Sequence, residues 1–135
     1  MSIKKPRRAA TLLLDRQIQW ATRAGKSVDA GCLSSAAENF VQPLSAETTR
    51  EFAAGAGNEF GLATGFRRRP KMTSLRSSSA LAVNFFEPLR GKDLLPLGQA
   101  LDLDFRPDAL RFEAKRPHGL SEGQPPHLDV LLEGQ

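Results

Sequence analysis

Disulfide bonding is the first thing this chain cannot have. Its 135 residues include one cysteine, Cys32, so no internal disulfide framework exists, and a reducing cytoplasm fits better than secretion. Apolar runs are short, far from the ~20 residues a membrane helix needs, so no membrane association is expected. The basic start, Met1 to Arg8, is followed by no apolar segment of signal-peptide length. Histidine is scarce as well. His118 and His127 flank a loop, and a zinc site would need further ligands at suitable spacing. The glycine-rich stretches near Gly55 and Gly119 match neither a P-loop nor a dinucleotide fingerprint, so no nucleotide cofactor is indicated. Cys32 stands in no nucleophile motif, and an inert thiol is the simpler assignment.

What is present suits one domain with a core of its own. The net charge of +4 conceals an uneven distribution. Residues 1–90 carry 14 Lys/Arg against 7 Asp/Glu, while residues 91–135 carry 5 against 8. A basic body joined to an acidic end suits a protein that grips a polyanion and gathers carboxylates where a metal is needed.

Helical spacing dominates the first two thirds. Leu14, Ile18 and Ala21 recur at i, i+4, i+7 within a helix from Ala9 to about Ala24, closed by Gly25. Trp20 falls off that stripe and is expected to pack against a neighbouring segment. Ser35-Ala-Ala-Glu38 has the capping-box pattern, with a short helical turn ending before Pro43. Ser45 is placed to cap a helix running through Phe52 to Ala54. Residues 55–70 form a glycine-rich loop that contains Glu59 and ends in Arg67, Arg68 and Arg69. Ser77 to Leu89 is the strongest helix after the first, with its serines at the N-cap and Pro88 at its close. Residues 90–109 form a connection with about one helical turn.

The period then changes from helical to alternating. Leu110, Phe112 and Ala114 alternate with Arg111, Glu113 and Lys115, and Leu128, Val130 and Leu132 alternate with Asp129, Leu131 and Glu133. Two half-buried strands joined by a Gly/Pro-rich loop are expected. The fold class is therefore mixed α/β, of the α+β kind. If the strands pair, Glu113 and Asp129 share one face, and two carboxylates on a rigid sheet can bind a hard cation such as Mg²⁺. The bland alternative is that both merely keep an exposed face soluble. Glu113-Ala-Lys115 also has the E-x-K spacing that sets a carboxylate and an ammonium on one face of a strand. Arg67, Arg68, Arg69, Lys71 and Arg76 form a basic cluster suited to phosphate contacts, or equally to a solvated loop.

Three stretches together resemble a family of bacterial restriction endonucleases within the PD-(D/E)XK nuclease superfamily. They are Gly57-Asn-Glu-Phe60 with Arg69-Pro-Lys-Met72, Leu75 to Phe86, and Phe112-Glu113 with Pro126 to Leu132. The resemblance covers roughly residues 45–135, behind a basic arm and helical region over residues 1–44. It implies a restriction-endonuclease-like core that begins with the Ser77–Leu89 helix and an antiparallel hairpin, the sheet being incomplete in this chain. It implies a Mg²⁺-dependent DNA endonuclease in which Asp129 binds the catalytic metal, with Glu113 and Glu59 at supporting acidic positions. In that family the E-x-K pair lies on the strand after the aspartate, so Glu113-Ala-Lys115 stands on the wrong strand. The chain is accordingly expected to be an N-terminal portion with little activity alone, and its unpaired edge favours association of two copies. The competing expectations are a non-catalytic nucleic-acid-binding module and an inert remnant.

Overall fold

A computed structural model of the chain describes residues 9–54, 59–61, 69–115 and 127–135. Helix α1 (Ala9–Arg23) leads to a miniature hairpin, β1 (Val28–Asp29) and β2 (Cys32–Leu33). Helices α2 (Ala46–Ala54), α3 (Ser78–Phe86) and α4 (Leu95–Ala100) follow, and then the long hairpin of β3 (Pro107–Lys115) and β4 (His127–Gly134). The architecture is mixed α+β, with two separate antiparallel two-stranded sheets among the described residues.

Helix α1 ends as its sequence predicts. Gly25 takes φ 72°, its N–H bonds to the Thr22 carbonyl, and the Lys26 N–H reaches back to the Ala21 carbonyl. That paired closure is a Schellman cap, which needs a left-handed residue and so favours glycine. The inward side of α1 carries fully buried Ala21 with half-buried Leu14, Gln17 and Ile18. Gln17 ties the helix down by donating Nε2–H to the Leu75 carbonyl at 2.9 Å. Trp20 is not packed away: it is 56% exposed, with the Lys26 ammonium 5.2 Å from its ring centroid.

The β1–β2 hairpin is absent from the sequence reading. Its two-residue turn needs positive φ at both central positions, and Ala30 (50°) and Gly31 (78°) supply it. Alanine is an unusual first turn residue, so no Asn-Gly or Asp-Gly signal marks the site. The capping box at Ser35 also fails to form. Residues Ala36–Asn39 make a 3-10 turn with no side-chain bond from Ser35, and Ser34 Oγ donates to the Glu38 carboxylate instead. A 3-10 turn this short does not present the N3 amide where a capping box needs it.

The other two caps form. Ser45 Oγ accepts from the Thr48 N–H at 3.1 Å, and Ser77 Oγ accepts from the Ala80 N–H at 3.1 Å. In α3 the buried residues are Ser79, Ala80 and Val83, whereas Leu81 and Phe85 lie on the outer side, 71% and 62% exposed. We expect Ser77→Ala to cost about 1 kcal/mol of stability in a urea titration, because one orphan N–H of α3 loses its partner.

The core joins α2, α3 and the long hairpin through Phe52, Met72, Ala80, Val83, Leu94, Leu110 and Phe112. Phe112 stacks on Phe52 with centroids 5.6 Å apart, and Phe60 meets Phe52 edge-on at 5.6 Å. Val130 and Leu132 of β4 pack against the same cluster. The strand faces therefore divide as their alternation predicts. At the far end of the hairpin Gly134 leaves no room for a side chain, since a Cβ there would stand 1.9 Å from the Arg106 carbonyl oxygen.

A polar knot sits beside this core. Arg90 reaches Glu47 Oε2 at 3.1 Å, Glu51 Oε2 at 2.5 Å and Glu87 Oε2 at 3.5 Å. Glu51 also accepts the Phe112 backbone N–H at 3.1 Å. Glu87 is almost wholly buried and accepts from Thr48 Oγ1 at 2.5 Å and the Ser45 N–H at 2.7 Å. Burial pushes the Glu87 carboxyl pKa up, but the bonds from Thr48 and Ser45 and the nearby Arg90 charge outweigh it, leaving a net lowering. A carboxyl with a depressed folded pKa contributes stability that is present above its unfolded value and lost as pH falls through the folded one. Stability should therefore hold above the ordinary carboxylate range and decline on acidification below it. Thermal melts in an acid series, with Glu87→Gln showing a shallower decline than the parent, check this.

Candidate functional site

The long hairpin positions the carboxylates. Phe112 pairs with Val130 and Ala114 with Leu128, which sets Glu113 and Asp129 across from each other between those two pairs. Phe112, Ala114, Leu128 and Val130 turn toward the core side, while Asp129 is exposed and Glu113 half-buried. Farther along the outer side, Arg111 Nη1 approaches Glu133 Oε2 diagonally at 3.7 Å.

Glu113 is also conformationally unusual. Its φ is 50°, a left-handed value that interrupts the pleat in the middle of β3, although the register is unchanged on either side. Non-glycine residues pay for such a conformation, and they concentrate at sites where a side chain or backbone group must be aimed. The sequence marks this residue by its charge, its strand position and the family resemblance, and not by its backbone conformation. Nothing in a strand-like pattern announces a left-handed residue.

Glu59 lies elsewhere in the packing. It is 6% exposed, its carboxylate accepts from Lys71 Nζ at 3.1 Å, and its carbonyl accepts the Met72 N–H at 3.1 Å. The structure thus anchors Glu59 to the 71–73 turn. Among the described residues, no group of three or more His, Cys, Asp or Glu side chains stands where it could hold a metal ion. The Glu113/Asp129 donor set is nevertheless of the right chemistry for Mg²⁺, which keeps several waters and takes one or two carboxylates.

The basic cluster divides. Arg69 is engaged by Asp29, through its carboxylate and through the backbone carbonyl at 2.9 Å. The hydrogen bond to Asp29 raises the Arg69 pKa further. Lys71 is paired with Glu59 at 3.1 Å, and Arg76 is exposed. Arg67, Arg68 and His118 lie outside the described residues, as do the side chains of Lys115 and His127. No helix of the described residues is long and apolar enough to cross a membrane.

Two polar residues that sequence reasoning missed hold the hairpin in place. Glu51 satisfies the outward N–H of Phe112, and Arg90 fixes Glu51 while its guanidinium lies 5.2 Å from the Phe112 ring centroid. No local motif could have revealed them, because their partners are distant in sequence.

Helices followed by a carboxylate-bearing antiparallel hairpin make this a mixed α+β chain. The chain belongs to the family described as Restriction Endonuclease associating with ARP, which it matches over residues 13–135. That match takes in residues 13–23 of α1 as well as the three stretches quoted above. Comparison with curated proteins and with solved structures returned no match.

Proposed function

We propose that the protein acts in metal-dependent hydrolysis of DNA phosphodiesters, with Asp129 as the principal metal ligand and Glu113 as its neighbour. The observation that carries this reading is the position of Asp129 on the long hairpin across from Glu113, itself held in a left-handed conformation, in a chain of a restriction-endonuclease family. Mg²⁺ bound there would supply Lewis-acid polarisation of a phosphate oxygen and lower the pKa of bound water. Asp129 would hold the cation from an exposed strand position, on a strand whose inner side packs against the core through Val130 and Leu132. Glu51 covers the edge of β3 at Phe112, which leaves the β4 edge, beside Asp129, as the place for any further strand. That is the position the superfamily resemblance assigns to an E-x-K strand. Glu59, fixed by Lys71, supports the 71–73 turn. The family description adds association with ARP, which enters the proposal for this chain in the same way.

The test is cleavage of plasmid DNA with Mg²⁺ or Mn²⁺ against EDTA, compared between the parent chain and Asp129→Ala. Metal-dependent nicking lost in the variant, with DNA binding retained, is the expected result. Nicking that persists in Asp129→Ala would sink the assignment. A second reading, a non-catalytic DNA-binding module, is favoured by the finding that no group of three or more His, Cys, Asp or Glu side chains among the described residues could hold a metal ion. Binding without metal-dependent cleavage in either protein decides for it.

A further inference from the structure

Helix α1 is built the wrong way round for a helix that merely covers a core. Its outer side should be polar, yet Leu12, Leu13 and Trp20 lie there, 48%, 60% and 56% exposed. Arg16 and Arg23, also exposed, fall between them at helical spacing. Residues 1–26 carry seven Lys/Arg and one acid, Asp15, so they account for more than the whole positive balance of the chain. Arg16 and Arg23 thus sit on a surface that combines cations with exposed apolar side chains, as a partner both anionic and apolar requires.

A cleft of about 490 Å³ opens beside this surface, between Trp20, Phe40 and Val41 on its apolar walls and Gln17, Asn39, Asn84 and Lys26 on its polar ones, the Lys26 ammonium standing beside the indole. Asn39 and Asn84 are locked into place. Asn39 donates to the Met72 and Ser74 carbonyls at 2.9 and 2.8 Å, and Asn84 donates to the Asn39 carbonyl at 2.8 Å. Gln17 uses its NH₂ on Leu75, while its Oε1 has no hydrogen-bond partner. A heterocyclic base presents a face that stacks on the indole and polar edges toward the amide-lined wall, neither of which an acyl chain offers.

We infer that the outer side of α1 and the cleft beside Trp20 bind an unpaired nucleotide of DNA, with phosphates on Arg16 and Arg23 and the base against Trp20. The inference rests on the DNA-directed reading above for its choice of polyanion. It adds a second cationic surface to the 67–76 cluster, in which Arg69 and Lys71 hold carboxylates of the chain itself.

Trp20 is the single tryptophan of the chain, so its emission reports on this site directly. The experiment titrates the full chain, in EDTA, with short single-stranded DNA, the duplex of the same sequence, and phosphatidylserine/phosphatidylcholine vesicles. Saturable quenching by the single strand is expected, weaker with duplex and absent with vesicles. Measured by anisotropy of labelled DNA, Trp20→Ala should weaken binding by roughly 5- to 150-fold while Trp20→Phe stays near the parent. Arg16→Ala with Arg23→Ala should reduce the salt slope by about 1.4, the share of two phosphates on a single strand. All of these side chains are exposed, so unchanged melting temperatures verify that the variants fold. Unquenched emission at saturating DNA, equal affinity of Trp20→Ala, or a blue shift with vesicles alone overturns the inference. Repeating the titration on Asp129→Ala separates it from catalysis. Quenching without cleavage removes only the nuclease, and cleavage without quenching removes only this site.

Discussion

Replacing Arg90 by alanine is expected to remove about 3–5 kcal/mol of stability, a large part of the ~5–15 kcal/mol that a domain possesses. The size follows from what the guanidinium leaves behind. Three carboxylates converge on it, and those of Glu51 and Glu87 are 15% and 3% exposed. With Arg90 gone, two buried anions face each other with hydrogen bonds but no counter-charge, whereas Glu47, 58% exposed, is screened by water. Arg90→Lys should recover little, because a point charge cannot engage Glu47, Glu51 and Glu87 as the planar fork does. Adding Glu87→Gln to Arg90→Ala should recover part of the loss by removing one of the stranded charges. Urea unfolding of the three variants checks the order, and additive losses in the double variant would show that the carboxylates are not coupled.

The second large effect is expected at Phe112. Phe112→Ala should cost about 3–5 kcal/mol, from lost transfer energy and an unfilled cavity. The ring is among the largest fully buried side chains and touches three systems at once. It stacks on Phe52, lies under the Arg90 guanidinium, and sits next to the left-handed Glu113. Phe112→Leu, which retains apolar volume, should lose distinctly less. Because Phe112 seats β3 on α2, the alanine variant should also disturb the strand that aims the candidate carboxylates. DNA cleavage, where present, should then fall in Phe112→Ala at temperatures where the variant is still folded. A midpoint change in urea with an unchanged slope identifies a stability loss rather than an altered unfolded state.

Periodic segments were legible from their residues, and the reasons are local. The stripe of Leu14, Ile18 and Ala21 with a glycine after it specifies α1 and its end. The serines at 45 and 77 specify helix starts, because the capping bond needs only a neighbour three residues on. The alternation of Leu110, Phe112 and Ala114 against Leu128, Val130 and Leu132 specifies both strands and their inner side. It also sets the carboxylates opposite each other once the strands pair. Where a reading failed, the deciding interaction was not local. Ser35 has the letters of a capping box, but the segment after it folds as a 3-10 turn. Ala30 accepts a left-handed backbone that composition does not predict, in a hairpin whose second strand bridges to Ser74. Leu81 and Phe85, four residues apart, share one side of α3, yet that side faces outward, because it is Ala80 and Val83 that meet the cluster of Phe52 and Met72.

For the carboxylate pair with which the candidate site begins, the sequence by itself determined identity, spacing and the strands that carry it. It determined the family resemblance too, because the quoted stretches are read directly from residue order. Tertiary structure decided which charges are available. Arg69 and Lys71 look like free cations on paper, and folding gives each a carboxylate partner 40 and 12 residues away. Arg16 and Arg23 drew no notice within a helical stripe, and folding turns their side outward beside Trp20. The physical reason is the range of the forces involved. Backbone period and capping act over a few residues, whereas an ion pair or a packed ring depends on chain segments brought together only by the collapsed core.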